Sequence, residues 1–446
     1  MKSLLDRIHD KIGDLWWYSL MIFVACRSGD VIQAFIGLWL VPKYIGPDEL
    51  GAVLPLQQLS GLFAAPLAII ATVFSKYVNT YATRGEYGKV KSFIHDVLLA
   101  SIGTFLFCII VAYLVIPHFY ERLNVSAGLL TVLILAAGFA NNIANLFTSA
   151  LQGLKKFKTM TIQNLISAPI RLATLLVTMP IRALSGYILG QTTPAATCGL
   201  LAAFTIRKDL KDIQADTSWR NDIPEIWHYL IPIAIYSGIA MLCAAIQSTV
   251  YRQRLPEIES SAYYLLSRFS EIAGYLGGAI MFVLVPLASE AHEKGQDNTR
   301  LLHRSIQGTV AVTITLSVIF FLSAEPILNV NSTWSPYSEY ANLLSWMTIN
   351  TGIGIILSTI CSYEMACRRF KKVAFVGAMN LTWTIFLVCT TGYSFFYGKA
   401  PTFIVEQIKN INMSNLSTIV KYGVWFGLIQ LLILFFWERC AIKSRH

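Results

Sequence analysis

Charge-poor runs of about twenty residues follow one another along almost the whole chain, and a helix needs about that many apolar residues to cross the roughly 30 Å hydrocarbon core of a bilayer. Twelve such runs occur, at 15–41, 51–74, 93–116, 127–150, 160–180, 184–206, 225–250, 260–288, 305–324, 339–363, 373–397 and 417–438. Within lipid each backbone N–H and C=O must be satisfied internally, so runs of this kind and length are read as helices. Composition agrees: 55% of the residues are hydrophobic and 13% charged, against about 25% charged in soluble domains. The expected fold class is an all-α integral membrane protein with about 12 transmembrane helices.

A formal net charge of +10 raises the question of nucleic acid, but the placement of the charges explains it as topology. Loops on one side hold 24 Lys and Arg, in 1–14, 75–92, 151–159, 207–224, 289–304, 365–372 and 439–446. The opposite loops hold seven: Lys43, Arg122, Arg182, Arg252, Arg254, Lys399 and Lys409. By the positive-inside rule both termini are cytoplasmic, which requires an even number of spans. The partner implied is the lipid bilayer, with no nucleic acid, and the location is a cell membrane crossed many times. Residues 1–14 alternate charges with Leu4, Leu5, Ile8 and Ile12 at a helical period. They read as a cytoplasmic leader, amphipathic on the inner leaflet or solvated, with no cleavable signal evident.

The chain is also written twice. "GPDELGAVLPLQQLSG" opens span two and "LPEIESSAYYLLSRFSE" opens span eight, with Pro47 and Pro256 209 residues apart. Gly85 and Gly295 are 210 apart, and Phe157 of "LQGLKKFKT" and Phe370 of "MACRRFKKV" are 213 apart. Each marker holds the same place in a six-span unit. The domains expected are the leader 1–14, an N-terminal six-helix bundle 15–206, a cytoplasmic linker 207–224, a C-terminal six-helix bundle 225–438 and a cytoplasmic tail 439–446. Parallel internal repeats point to transport, since two similar bundles can rock around a site between them.

Other chemistries lack their residues. There is no GxxxxGK[ST] run for a nucleotide, the seven histidines never fall at HxxxH spacing, and the eight cysteines form no CxxC pair. No loop exceeds roughly 20 residues, far short of a domain. The chain is therefore not read as an enzyme, and neither a metal nor another cofactor is implied.

Three cations lie at membrane depth: Arg27, Arg171 and Arg268. Arg27 and Asp30 are three residues apart, as are Arg268 and Glu271, so each pair shares a helical face. The bland reading is a structural clip. A clip belonging to the scaffold should recur in both halves, yet at an offset of 210 Arg27 and Asp30 meet Ser237 and Ala240, while Arg268 and Glu271 meet Gln58 and Gly61. At 213, Arg171 meets Thr384. Intramembrane ionisable groups that depart from the scaffold are candidate substrate contacts, with Asp30 and Glu271 as positioning or proton-accepting groups. Gln57, Gln58, Asn141, Asn142, Asn145 and the "GQTTP" run from Gly190 add uncharged polarity, of which Gln58 and Asn142 are candidate contacts; each alone also suits a helix-to-helix hydrogen bond. Arg252 and Arg254, at the outer mouth of span seven, read as interfacial anchors.

With "VPKYIGPDELGAVLPL", the small, polar loop after span two and "LQGLKKFK" after span four, the sequence resembles the polysaccharide biosynthesis or O-antigen flippases of the multidrug/oligosaccharidyl-lipid/polysaccharide exporter (MOP) superfamily. The resemblance implies two repeated six-helix bundles around a central cavity that opens alternately to either side. It further implies that a polyprenyl-diphosphate-linked oligosaccharide is turned from the cytoplasmic to the outer leaflet of a bacterial inner membrane, for cell-surface polysaccharide synthesis. Other polysaccharide-assembly membrane proteins would be partners, and a proton or sodium gradient could drive the cycle. Arginine suits a diphosphate because its planar fork binds phosphate oxygens in pairs. Two rivals remain open: an ion-coupled multidrug exporter of the same superfamily, and a non-transporting component of a glycan-assembly complex.

Overall fold

The computed structural model describes residues 28–123, 128–293, 299–367, 369–390 and 415–443. Twelve long helices account for the described residues, one for each charge-poor run. α1 covers 28–44 and includes a π-helical stretch, Ile36–Leu40, before its last turn, Val41–Tyr44. The others are α2 (Val53–Thr83), α3 (Tyr87–Leu123), α4 (Gly128–Gly153), α5 (Phe157–Thr178), α6 (Ala183–Asp209), α7 (Ile223–Arg254), α8 (Glu257–Glu293), α9 (Thr299–Asn329), α10 (Ala341–Ala366), α11 (Lys371–Thr390) and α12 (Leu416–Lys443). Eight helical segments among the described residues are by length and composition able to cross a membrane on their own.

The repeat markers fall at matching helix starts. Pro47 opens a short turn ahead of α2 and Pro256 directly precedes α8. Phe157 opens α5, and Phe370 directly precedes α11. Gly85 turns the chain between α2 and α3 with φ +77°, a left-handed conformation that glycine adopts without steric cost.

Two compact units divide the chain, and not at a single point. The first contains the described residues up to Ile36 together with Leu56–Gly238; the second contains Gly37–Pro55 and the described residues from Ile239 onward.

In the first unit α6 packs along α4 and α5. Small residues permit the approach: a β-carbon at Gly199 would lie 3.2 Å from the Ala144 α-carbon, the close-packed contact that membrane helices favour. The linker is part of this unit. Asp216 accepts from Ser218 N and Oγ, both at 2.9 Å, and so caps a 3₁₀ turn, Thr217–Asp222. That turn sets Trp219 against Phe93 at 4.8 Å between ring centroids, and Arg220 on Asp96 at 2.8 Å. Lys91 donates to the Ile213 carbonyl at 2.6 Å. A segment read from sequence as a polar connection is thus a folded bracket on α3.

In the second unit α10 is the central helix, packed on α8, α9 and α12. α9 offers α10 a buried row of small hydroxyls, Ser305, Thr309, Thr313 and Ser317. Thr309 and Thr313 return their hydroxyls to the carbonyls four residues back, at 3.0 and 2.8 Å, and need no other partner.

Candidate functional site

In the first unit the polar groups gather where α1 meets α5. The helices approach closely enough that a β-carbon at Gly29 would lie 3.8 Å from that of Ala168. One turn along, Arg171 Nη1 donates to Gln33 Oε1 at 2.6 Å. Gln33 follows Asp30 by three residues, so the two share a face of α1. Both Arg171 and Asp30 are half-buried.

The second repeat contains the same joint without the charge. Gln247 on α7 donates its amide to the Thr384 hydroxyl on α11 at 2.8 Å. Gln33 and Gln247 are 214 residues apart, Arg171 and Thr384 213. The scaffold therefore supplies a glutamine bond between first and fifth helices in both repeats, and in the first repeat its partner is a cation.

In the second unit the site is built around Arg268 on α8. Arg268 Nη1 reaches both oxygens of Glu271, at 2.8 and 2.9 Å, and its guanidinium lies 4.9 Å from the Tyr264 ring centroid. Tyr275 also donates to Glu271, at 3.3 Å. Burial is unequal within the pair: the Arg268 side chain is 8% exposed and that of Glu271 35%. The carboxylate is the more exposed half. The stem of Arg268 lies over Gly37, where a β-carbon would sit 3.1 Å from its Cδ.

The π-helical stretch explains why Gly37 is there. A π-turn offsets the regular ladder, leaving carbonyls that must be satisfied from outside the helix. Tyr264 donates to the Gly37 carbonyl at 3.5 Å, and the Trp334 indole donates to that of Leu38 at 2.6 Å.

Other residues singled out from sequence have different surroundings. Arg27 and the leader 1–14 lie outside the described residues. Asn142 is 1% exposed and its amide returns to the Gly138 carbonyl at 2.8 Å, a contact within α4. Gln58 is half-buried on α2, and its neighbour Gln57 donates to the Tyr187 hydroxyl on α6. In "GQTTP", Thr192 and Thr193 bond back to the Ile188 and Leu189 carbonyls.

Arg252 corrects the interfacial-anchor reading. It is buried, and Nη2 donates to the Asp48 carbonyl at 2.5 Å. Gln33 went unnoticed because a glutamine in a span carries no charge to draw attention, and the offset of 210 used for the first span sets it against Cys243 and not Gln247.

No family model and no curated protein sequence matches the chain. Solved structures do. An inward-facing multidrug resistance MATE transporter of the MOP superfamily superposes with a TM-score of 0.66 at 13% identity, covering 95% of this chain and 98% of its own. The lipid II flippase MurJ, in an inward closed conformation, gives 0.65 at 13% identity over 94% of this chain and 87% of its own. A MOP superfamily transporter from Pyrococcus furiosus, described by a binding pocket of reversed polarity that suggests a different function, gives 0.63 at 12% over 98% of both. The fold is that of the MOP transporters. It is a multi-pass membrane fold, and these neighbours are described as transporters and a flippase.

Proposed function

We propose that this protein is a flippase that carries a polyprenyl-diphosphate-linked oligosaccharide from the cytoplasmic to the outer leaflet, with both termini cytoplasmic. The observation that carries this reading is the cation set into the Gln33 joint. A scaffold bond that a threonine completes in one repeat is completed by Arg171 in the other. A guanidinium at membrane depth is costly by about 2.5 to 3.5 kcal/mol on the insertion scale. An anionic substrate would give that charge a use, and a diphosphate suits arginine's paired donors. Arg268 is the corresponding cation of the second unit, held ready by Glu271 and Tyr264. Asp30 extends the set on α1, Arg27 is assigned to it from its sequence position alone, Gln58 adds an amide, and Asn142 supports α4.

One structural neighbour is a lipid II flippase, and that likeness supports the reading of a lipid-linked substrate. Reconstitution tests the proposal. Proteoliposomes containing a fluorescent polyprenyl-diphosphate sugar should lose label to an outer-leaflet quencher at a rate that falls in Arg171→Ala and Arg268→Ala. Unchanged rates in both variants would remove the site assignment, and no flipping by a folded parent protein would remove the function.

One observation favours a second reading. Glu271 is more exposed than Arg268, and an exposed membrane carboxylate suits an exporter of cations coupled to protons or sodium. In the same vesicles an imposed proton or sodium gradient would then drive uptake of a fluorescent cationic drug, and Glu271→Gln would abolish it.

A further inference from the structure

Two turns of the first unit close in the same way. Between α2 and α3, Gly85 N donates to the Ala82 carbonyl at 3.1 Å and Glu86 N to that of Tyr81 at 2.9 Å. Between α4 and α5, Lys155 N donates to the Gln152 carbonyl at 3.0 Å and Lys156 N to that of Leu151 at 2.9 Å. This closure takes one residue in the left-handed region, where glycine is the usual choice. Gly85 supplies it with φ +77°, but the second turn places Lys155 there with φ +57°. A β-carbon makes that conformation unfavourable, and an outlier of this kind points to a use for the side chain.

Lys155 stands in a group of cations. Lys156 Nζ bridges to Asp209 Oδ2 at 3.0 Å, which brings the turn carrying Lys155 and Lys158 beside the end of α6 that carries Arg207, Lys208 and Lys211. All six basic residues are exposed, with Asp209 and Asp212 as the acids among them. Four other cations on the same side of the first unit are engaged: Lys89 with Glu86 at 3.1 Å, Arg220 with Asp96 at 2.8 Å, Lys91 with the Ile213 carbonyl at 2.6 Å, and Lys76 over the Tyr229 ring at 3.9 Å. The side chains of Lys155, Lys158, Arg207, Lys208 and Lys211 make no ion pair or hydrogen bond among the described residues. The second repeat handles its turn differently. At an offset of 213 Leu151 meets Glu364, a buried acid that takes Lys372 at 2.7 Å.

Position selects the partner. Lys158 precedes the run 160–180 by two residues and Arg207 directly follows the run 184–206, so the group stands at the level of lipid headgroups. Clustered cations just beyond the ends of membrane helices attract anionic lipids. We propose that Lys155, Lys158, Arg207, Lys208 and Lys211 form a binding site for the phosphate-bearing headgroup of an anionic membrane phospholipid, and that the Lys156–Asp209 bridge holds its two sides together. Lys155 occupies the left-handed position because a glycine there would leave the site one charge short.

Lipid binding to the full-length, delipidated protein, read by native mass spectrometry, tests this without any transport and so independently of the proposed function. The probes are phosphatidylglycerol and phosphatidylcholine, and the parent should bind the first more tightly. Lys155→Gly should weaken phosphatidylglycerol binding about fivefold, the effect of one surface cation, and should raise the thermal midpoint of the lipid-free protein by removing the strain. Parent-like binding in this variant, or a lowered midpoint, would overturn the role given to Lys155. Lys158→Gln/Arg207→Gln/Lys208→Gln should lose most of the preference, whereas Arg300→Gln/Arg304→Gln, which removes two exposed cations from the second unit, should keep it. An equal loss in the two would reduce the attraction to net charge and overturn the site. Inorganic phosphate raising the midpoint as much as phosphatidylglycerol does would also overturn it, by making the ligand a soluble anion.

Discussion

Gln247 donates to the Thr384 hydroxyl at 2.8 Å in the second unit, and Gln33 accepts from Arg171 at 2.6 Å at the equivalent joint of the first. The two bonds join the same pair of helices in each repeat, and they differ in whether the glutamine meets a hydroxyl or a charge. Structure and function can therefore be separated at one position.

Arg171→Thr installs the second repeat's solution in the first. Thr384 also bonds back to the Asn380 carbonyl at 2.9 Å, so a threonine in this setting satisfies itself as well as its glutamine. Stability in detergent should stay within about 1.5 kcal/mol of the parent, the scale of one net hydrogen bond. Flipping of a diphosphate-linked substrate should fall about tenfold or more, from the loss of a charged hydrogen bond of about 1.5 to 3 kcal/mol. Thermal unfolding and the vesicle assay, run on one preparation, check both statements.

Gly51→Ala should destabilise the second unit, because a methyl there would stand 2.9 Å from the Ser260 β-carbon on a helix that cannot easily withdraw. Overpacking of this kind costs about 1 to 3 kcal/mol. Ser260→Gly in the same chain should recover part of that loss, since the two residues are in contact and couple. A double variant no more stable than Gly51→Ala alone would place the strain elsewhere.

The legible part of this fold was its membrane logic. Twelve charge-poor runs became twelve helices, and the markers Pro47/Pro256 and Phe157/Phe370 stand at matching helix starts, because burial in lipid writes itself into composition. The bonds onto residues 37–55 were not legible. Ser261, Arg252, Tyr264 and Trp334 hold carbonyls and an amide of the main chain, which every sequence presents, so the accepting segment carries no pattern. The linker's docking was not legible either: Trp219, which sets it on Phe93, stands among charged residues with no pattern to mark its partner. At the site, the sequence marked Arg171 and Arg268 by charge but could not show that Glu271 is the more exposed half of its pair.

The Asp216 cap makes the linker's docking sensitive to acid. Hydrogen bonds from the Ser218 amide and hydroxyl hold the Asp216 carboxyl below its ordinary value. A carboxylate depressed in the folded state contributes stability that is fully present above its unfolded pKa, near 3.9. That contribution is lost as pH falls through the lower folded value. Amide exchange across 214–222 should quicken below about pH 4 relative to the bonded core of α10. Asp216→Asn should show faster exchange near neutral pH and little further change on acidification; an unaltered acid response would assign it to another group.

Arg268 and Glu271 pose the question of clip against site most directly, and unequal burial allows an answer. Glu271→Gln takes the Glu271 carboxylate from a guanidinium that is 8% exposed, and breaking a buried pair of this kind costs about 3 to 5 kcal/mol. Arg268→Met leaves a carboxylate that is 35% exposed and can be hydrated, so the loss should be smaller. The double variant should resemble Arg268→Met in stability, because it buries no lone charge. Transport should follow the cation and not the stability. Arg268→Met and the double variant would both fold and both fail to flip a diphosphate-linked lipid, while stabilised preparations of Glu271→Gln would retain flipping. Parent-like flipping by the double variant would reduce the pair to packing and leave Arg171 as the described cation of the site.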